Sequence, residues 1–141
     1  MIMISTKGRY ALRVMLDLAE HQGEGGYLPL KDIALRQEIS EKYLESILKG
    51  LVRDKLLSGV RGKGGGYRLT KAPKEYTVGS ILRLTEGELA PVACLEGGAD
   101  ACPRAADCKT LPMWSKLNGM IQAFFDSITL QDLMEEEQTK E

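Results

Sequence analysis

Between Ser40 and Thr70 the hydrophobic period changes from helical to alternating, and this change limits the fold more than any other feature. After Ser40, a strong N-cap residue, Leu44, Ile47, Leu48 and Leu51 follow at i, i+3, i+4, i+7. That is one face of an α-helix, with Lys42, Glu45, Ser46, Lys49 and Arg53 opposite. Leu57 to Thr70 then runs in short alternating stretches around Gly62-Lys63-Gly64-Gly65-Gly66, the pattern of a β-hairpin. Upstream, Pro29 suits the first turn of a short helix from Leu30 to about Gln37, with Ile33 and Ala34 inward. Two helices joined by a turn of about four residues, the second amphipathic, make a helix-turn-helix. A basic hairpin directly after the second helix is a wing.

The remaining elements are helical. Ser5 or Thr6 caps a first helix to about Glu20, with Ala11, Leu12, Met15, Leu16, Leu18 and Ala19 on a broad apolar face. Thr77 caps a short helix through Val78, Ile81, Leu82 and Leu84, and Glu86 to Thr110 forms a loop. Pro112 starts a longer helix with Trp114, Leu117, Ile121, Phe124 and Phe125 on one side, and Thr129 caps a last acidic turn from Leu130 to Glu137. The fold class is mainly α: a winged helix-turn-helix with a small β-hairpin and a long C-terminal dimerisation helix. Residues 1–76 form the DNA-binding unit, and residues 77–141 carry the loop and the dimerisation region. So apolar a helix is expected to form a seam between two copies, which doubles the DNA contacts.

Charge follows the same division. The net charge of −1 combines 14 Lys and Arg against 9 Asp and Glu in residues 1–76 with 5 against 11 in residues 77–141. A basic half can meet phosphates while an acidic half stays clear of them. No run is long enough to span a membrane, the N-terminus lacks a signal-peptide pattern, and a cytoplasmic location is expected. At the start of the second helix, Ser40, Lys42, Tyr43, Glu45 and Ser46 are placed for base edges and phosphates. On the wing, Arg61 and Lys63 are placed for phosphates or a minor groove. Glu45, costly near phosphates, would act mainly against wrong sequences. The glycine cluster is no nucleotide-binding loop: no Ser or Thr follows Lys63, and a strand follows where a helix is required.

The three cysteines, Cys94, Cys102 and Cys108, all fall within one 15-residue span. In a cytoplasmic chain such clustering points to metal or redox chemistry. Spacings of seven and five intervening residues do not match the paired units of zinc sites, whereas iron–sulfur sites tolerate varied spacing. Three thiols leave a fourth ligand open among Glu96, Asp100, Asp107 or a group from a second subunit; His21, the only histidine, lies at the end of the first helix. Without a Cys-x-x-Cys pair or an adjacent catalytic base, a thiol enzyme ranks last.

Four segments carry a resemblance. Ser5-Thr-Lys-Gly-Arg-Tyr-Ala-Leu-Arg-Val-Met-Leu-Asp-Leu-Ala19 is similar to the first helix of the IscR/NsrR/RirA-type winged-helix iron–sulfur regulators. Ile39 to Glu45 resembles their recognition helix, Val60 to Tyr67 their wing, and Ile128 to Leu133 their closing segment. The resemblance implies a homodimeric repressor or activator on a double-stranded DNA operator. It implies that Cys94, Cys102 and Cys108 ligate an iron–sulfur cluster, 2Fe–2S favoured and 4Fe–4S the alternative. It also implies that Glu45 serves cluster-dependent DNA choice and that Arg61 enters the minor groove. Leu111 stands where IscR-like members carry a histidine, and Arg9 aligns with a carboxylate that NsrR-like members use, so the fourth ligand stays open. The expectation is a regulator that senses iron–sulfur status. Its rivals are a nitric-oxide or redox sensor, and a cofactor-free regulator of the same fold controlled by a metabolic protein partner.

Overall fold

Among the described α-helices, four start on a side-chain oxygen and two at a proline. The computed structural model describes residues 4–23, 26–87, 89–92, 95 and 106–136. Helix α1 (Thr6–His21) begins where Ser5 Oγ accepts from the Gly8 N–H at 3.0 Å. Helix α2 (Leu30–Gln37) begins one residue after Pro29. Pro29 therefore sits at the N-cap, outside the first turn, where its carbonyl accepts from Asp32 at 3.1 Å and Ile33 at 3.3 Å. Glu38 ends α2 with a left-handed φ of 55°, which turns the chain sharply. Ser40 then caps α3 (Glu41–Arg53) by accepting from the Tyr43 N–H at 3.2 Å, a contact of about 1 kcal/mol.

Strands β1 (Leu57–Val60) and β2 (Gly66–Leu69) pair antiparallel in the register Leu57↔Leu69 to Val60↔Gly66. The tip needs its glycines: Gly62 and Gly64 have φ of +93° and +80°, and the Gly65 N–H closes the turn onto the Gly62 carbonyl at 3.0 Å. Gly66, at φ +146°, lies against the Leu28 backbone, and a Cβ there would overlap the Leu28 carbonyl oxygen. Leu28 and Tyr67 exchange two hydrogen bonds of 2.8 Å, so the loop before α2 adds a one-residue third strand to the wing.

A 3-10 turn at Pro73–Glu75 leads to α4 (Val78–Glu86), capped by Thr77. Helices α5 (Leu111–Ser127) and α6 (Leu130–Glu135) follow, α6 starting with a reciprocal cap between Thr129 and Asp132. The main core centres on Ala11, Val14, Met15 and Leu18 of α1, packed with Ile33, Leu44, Ile47, Leu48 and Leu51. Tyr76, Ile81 and Leu130 are buried in this same core. The segment after α5 thus meets the segment before and at the start of α4: the Val78 N–H bonds the Ile128 carbonyl at 2.8 Å, and the Leu130 N–H the Tyr76 carbonyl at 3.0 Å.

One buried charge orients the helix pair. Asp17 of α1 is 1% exposed and accepts from Arg36 Nε at 3.0 Å, Arg36 Nη2 at 2.7 Å and Gln37 Nε2 at 2.8 Å. Its hydrogen bond raises the Arg36 pKa above the ordinary arginine value, against the opposing effect of burial.

Helix α5 does not have the single apolar side expected from its sequence. Phe125 packs on the small cluster of Val78, Leu82 and Leu89, whereas Met113, Leu117, Met120 and Phe124 are 54, 37, 67 and 60% exposed. Leu84, grouped with the inward residues of α4 by its spacing, is likewise exposed. No described helix is long and apolar enough to cross a membrane.

Candidate nucleic-acid interface and thiol site

The leading turns of α3 display the residues picked out by spacing, each in a defined state. Ser40, Lys42, Glu45 and Ser46 are exposed, and Tyr43 is half-buried. Ser40 Oγ already accepts a backbone N–H, so its own hydrogen remains a donor. Ser46 Oγ donates to the Tyr43 carbonyl at 2.7 Å, which leaves its lone pairs as acceptors. Glu45 lies 3.9 Å from Lys49 one turn later on the same face. Arg61 and Lys63 are exposed at the wing tip. Between α3 and the wing runs an open cleft of about 500 Å³ lined by Glu45, Lys49, Val52, Val60, Arg61 and Tyr67. It brings Glu45 and Arg61 onto one surface, with Ser40 and Lys42 at the leading end of α3.

Two residues of this surface escaped the sequence reading. Tyr10 of α1 meets Tyr43 edge-on, ring centroids 5.8 Å apart, and the Arg13 guanidinium lies 5.0 Å from the Tyr10 ring centre. Arg13 also donates to the Gln37 carbonyl at 2.6 Å and to Gln37 Oε1 at 3.1 Å. Helix α1 thereby braces the turn that aims α3. No local pattern marks Tyr10 and Arg13, because their partners lie across the fold.

The thiol region is anchored at both described ends. On the near side Glu86, the last residue of α4, accepts from Ser5 N at 3.0 Å and Ser5 Oγ at 2.5 Å, at the start of α1. A Cβ at Gly8 would overlap that carboxylate. On the far side Cys108 is half-buried, two residues before Thr110, the N-cap of α5, with its sulfur 3.2 Å from Thr110 Oγ1. Cys94 and Cys102 lie outside the described residues, as do Glu96 and Asp100. Asp107 is exposed beside Cys108, Leu111 begins α5, and Arg9 is exposed on α1. His21 is held at the end of α1 with Nδ1 2.9 Å from the Asp17 carbonyl oxygen.

A helix-turn-helix braced by a third helix and followed by a basic hairpin defines a winged-helix DNA reader of the transcription-regulator class. The chain belongs to the Rrf2 family of iron-dependent transcriptional regulators, whose family model matches residues 4–136. It is 40% identical over 131 residues to the HTH-type transcriptional regulator IscR of Aliivibrio salmonicida, covering 93% of this chain and 76% of that protein. To IscR of Photobacterium profundum it is 38% identical over 138 residues, covering 98% and 78%. Among solved structures it is similar to CymR (YrzC), the global cysteine regulator of B. subtilis, with a TM-score of 0.79 and 38% identity over 98% of this chain and 100% of that one. The similarity to T. potens IscR has a TM-score of 0.74 and 38% identity, covering 99% and 93%. The chain is a DNA-binding, IscR-like transcriptional regulator and not an enzyme.

Proposed function

We propose that this regulator binds its operator as a homodimer under the control of an iron–sulfur cluster held by Cys94, Cys102 and Cys108, and that it senses iron–sulfur status. The observation that carries the reading is the placement of the thiols. All three lie on the segment between α4 and α5, and Cys108 stands at the foot of α5. Soft thiolates on one loop suit an iron–sulfur centre. The Thr110 hydroxyl beside Cys108 is the kind of outer contact that orients a metal-bound sulfur. When bound, the cluster supplies a redox-active, chemically labile crosslink among the three sulfurs. The 2Fe–2S form is favoured over 4Fe–4S, and the fourth ligand is open to Asp107 or to a group of the second subunit.

The protein's own residues supply the rest. Glu86 ties the near end of the thiol segment to α1, and α5 carries the far end. A change in the segment therefore bears on both the DNA reader and the dimer seam. Across that seam Met113, Leu117, Met120 and Phe124, spaced by four, three and four residues, form a continuous apolar stripe for a second α5. At the DNA, the leading turn of α3 enters the major groove. Lys42 and Ser40 donate to phosphate, Tyr43 packs along the backbone, Ser46 accepts from an exocyclic amine, and Glu45 accepts from cytosine N4. Arg61 and Lys63 reach phosphate or the adjacent minor groove.

Anaerobically purified protein is the material that tests this. Cys102→Ala should abolish the visible absorbance of the cluster and alter operator preference; no change in either would overturn the proposal. A second reading is a cofactor-free regulator controlled by a metabolic protein partner; its support is that the chain is as similar to CymR, a global cysteine regulator, as to T. potens IscR, at 38% identity to each. Reconstitution with iron and sulfide separates the two, because only the first yields a coloured, stoichiometric product.

A further inference from the structure

Tyr76 joins three parts of the chain through one side chain. Its ring is 1% exposed within the main core. Its hydroxyl donates to the Leu56 carbonyl at 2.8 Å and accepts from the N–H groups of Thr70 at 2.9 Å and Lys71 at 3.0 Å. A phenol has one hydrogen and two lone pairs, so these three bonds satisfy it fully. Leu56 immediately precedes β1, and Thr70 and Lys71 immediately follow β2. One oxygen therefore clamps both strands at the base of the wing. Thr70 Oγ1, 3.1 Å from the same oxygen, reinforces the clamp by donating to the Lys55 carbonyl at 2.9 Å. The Leu56 N–H bonds the Leu51 carbonyl at 2.9 Å, which links the clamp to the end of α3. On the opposite side the Tyr76 carbonyl accepts from Leu130, just beyond α5.

We propose that Tyr76 is a positioning residue for DNA reading: its hydroxyl sets the direction in which the wing presents Arg61 and Lys63. This rests on the reading that the wing touches DNA. Other hydrogen bonds from the wing to the body include two sets on β2, Tyr67 with Leu28 and the Leu69 N–H to Gln22 Oε1 at 3.1 Å. They hold one strand, whereas the Tyr76 oxygen bonds residues flanking both strands. Thr70 and Lys71 are exposed, and Thr70 Oγ1 lies 3.2 Å from the Leu56 carbonyl, so the groups that lose the oxygen in Tyr76→Phe have other partners within reach. With the β1–β2 pairing and the Thr70 hydroxyl still in place, the fold is expected to survive that change while the base of the wing loosens.

The probe is a fluorescent duplex selected by the wild-type protein from a randomised pool. Tyr76→Phe should weaken binding about fivefold. Neutralising the wing with Arg61→Ala and Lys63→Ala should weaken wild-type binding about tenfold, but less than about twofold in the Tyr76→Phe background. Equal factors in the two backgrounds would overturn the positioning role and leave the wing contact standing. Unchanged wild-type affinity on neutralising the wing would overturn the contact, and the proposal with it. Thr70→Val, which removes the reinforcing hydroxyl and leaves the ring in place, serves the same cycle if Tyr76→Phe fails to fold. It is expected to lower the wing's contribution in the same direction, and full additivity would again decide against Tyr76.

Discussion

Arg83 and Asp126 show what two surface residues contribute when their geometry is good. Arg83 Nη1 lies 2.7 Å from Asp126 Oδ1 and Nη2 3.0 Å from Oδ2, and Nε and Nη2 also reach Gln122 Oε1. These bonds hold α5 on α4, and the Arg83 hydrogen bond keeps the Asp126 carboxyl below its ordinary pKa. A depressed folded-state pKa adds stability above the ordinary carboxylate value, and that stability is lost as pH falls through the lowered one. Asp126→Asn should therefore be less stable than wild type at neutral pH, and the difference should shrink below about pH 4. Urea unfolding at a series of pH values measures it; a difference independent of pH would show that the pair is not ionic. Neither partner was legible in the sequence, because 43 residues separate them. Ser40, Thr77 and Thr129 were legible as caps, because a cap needs only the next three residues.

Among the elements, α5 departs most from its sequence pattern. Its apolar residues occupy more than half a turn, so periodicity groups them on one side. The structure divides them: Phe125 meets α4, while Met113, Leu117, Met120 and Phe124 face outward. A stripe of this length left in water is unfavourable by about 25 cal/mol per Å² of apolar area, exposure that the proposed pairing with a second α5 would remove. If the proposed dimer forms through this stripe, wild type should sediment as a dimer and Phe124→Asp as a monomer in analytical ultracentrifugation, with the far-UV spectrum of the helices retained. A variant that sediments as the wild type would place the seam elsewhere. Helices α2 and α3, by contrast, matched their sequence boundaries closely, since Pro29, Glu38 and Ser40 punctuate them locally. The shift of Pro29 from the first turn to the N-cap is a one-residue effect of its carbonyl accepting the first helical hydrogen bonds.

For the whole molecule, the basic residues 1–76 and the acidic residues 77–141 both contribute to one core. Leu130 of α6 is fully buried in the main core, where α6 packs against α1. The segment that follows α5 is thus fixed to the body through Leu130 and the Tyr76 carbonyl. The charge separation also has a measurable consequence. If Lys42 and Arg61 each displace a counterion from DNA, neutralising either should reduce the slope of log affinity against log salt by about one unit. Titrations between low and moderate salt measure this, and an unchanged slope would remove that residue from the phosphate contacts.

Chain order alone determined the helix-turn-helix, the wing and the helix starts, because period, caps and glycine turns act between residues a few positions apart. It also placed three thiols on one segment, since their spacing is a property of the chain itself. The folded molecule decided which side of α5 stays outside, how Tyr10 and Arg13 brace α3, and where the Tyr76 oxygen finds its partners. Those outcomes depend on surfaces that meet only when distant segments pack, and burial and hydrogen bonding between them have no counterpart in local pattern.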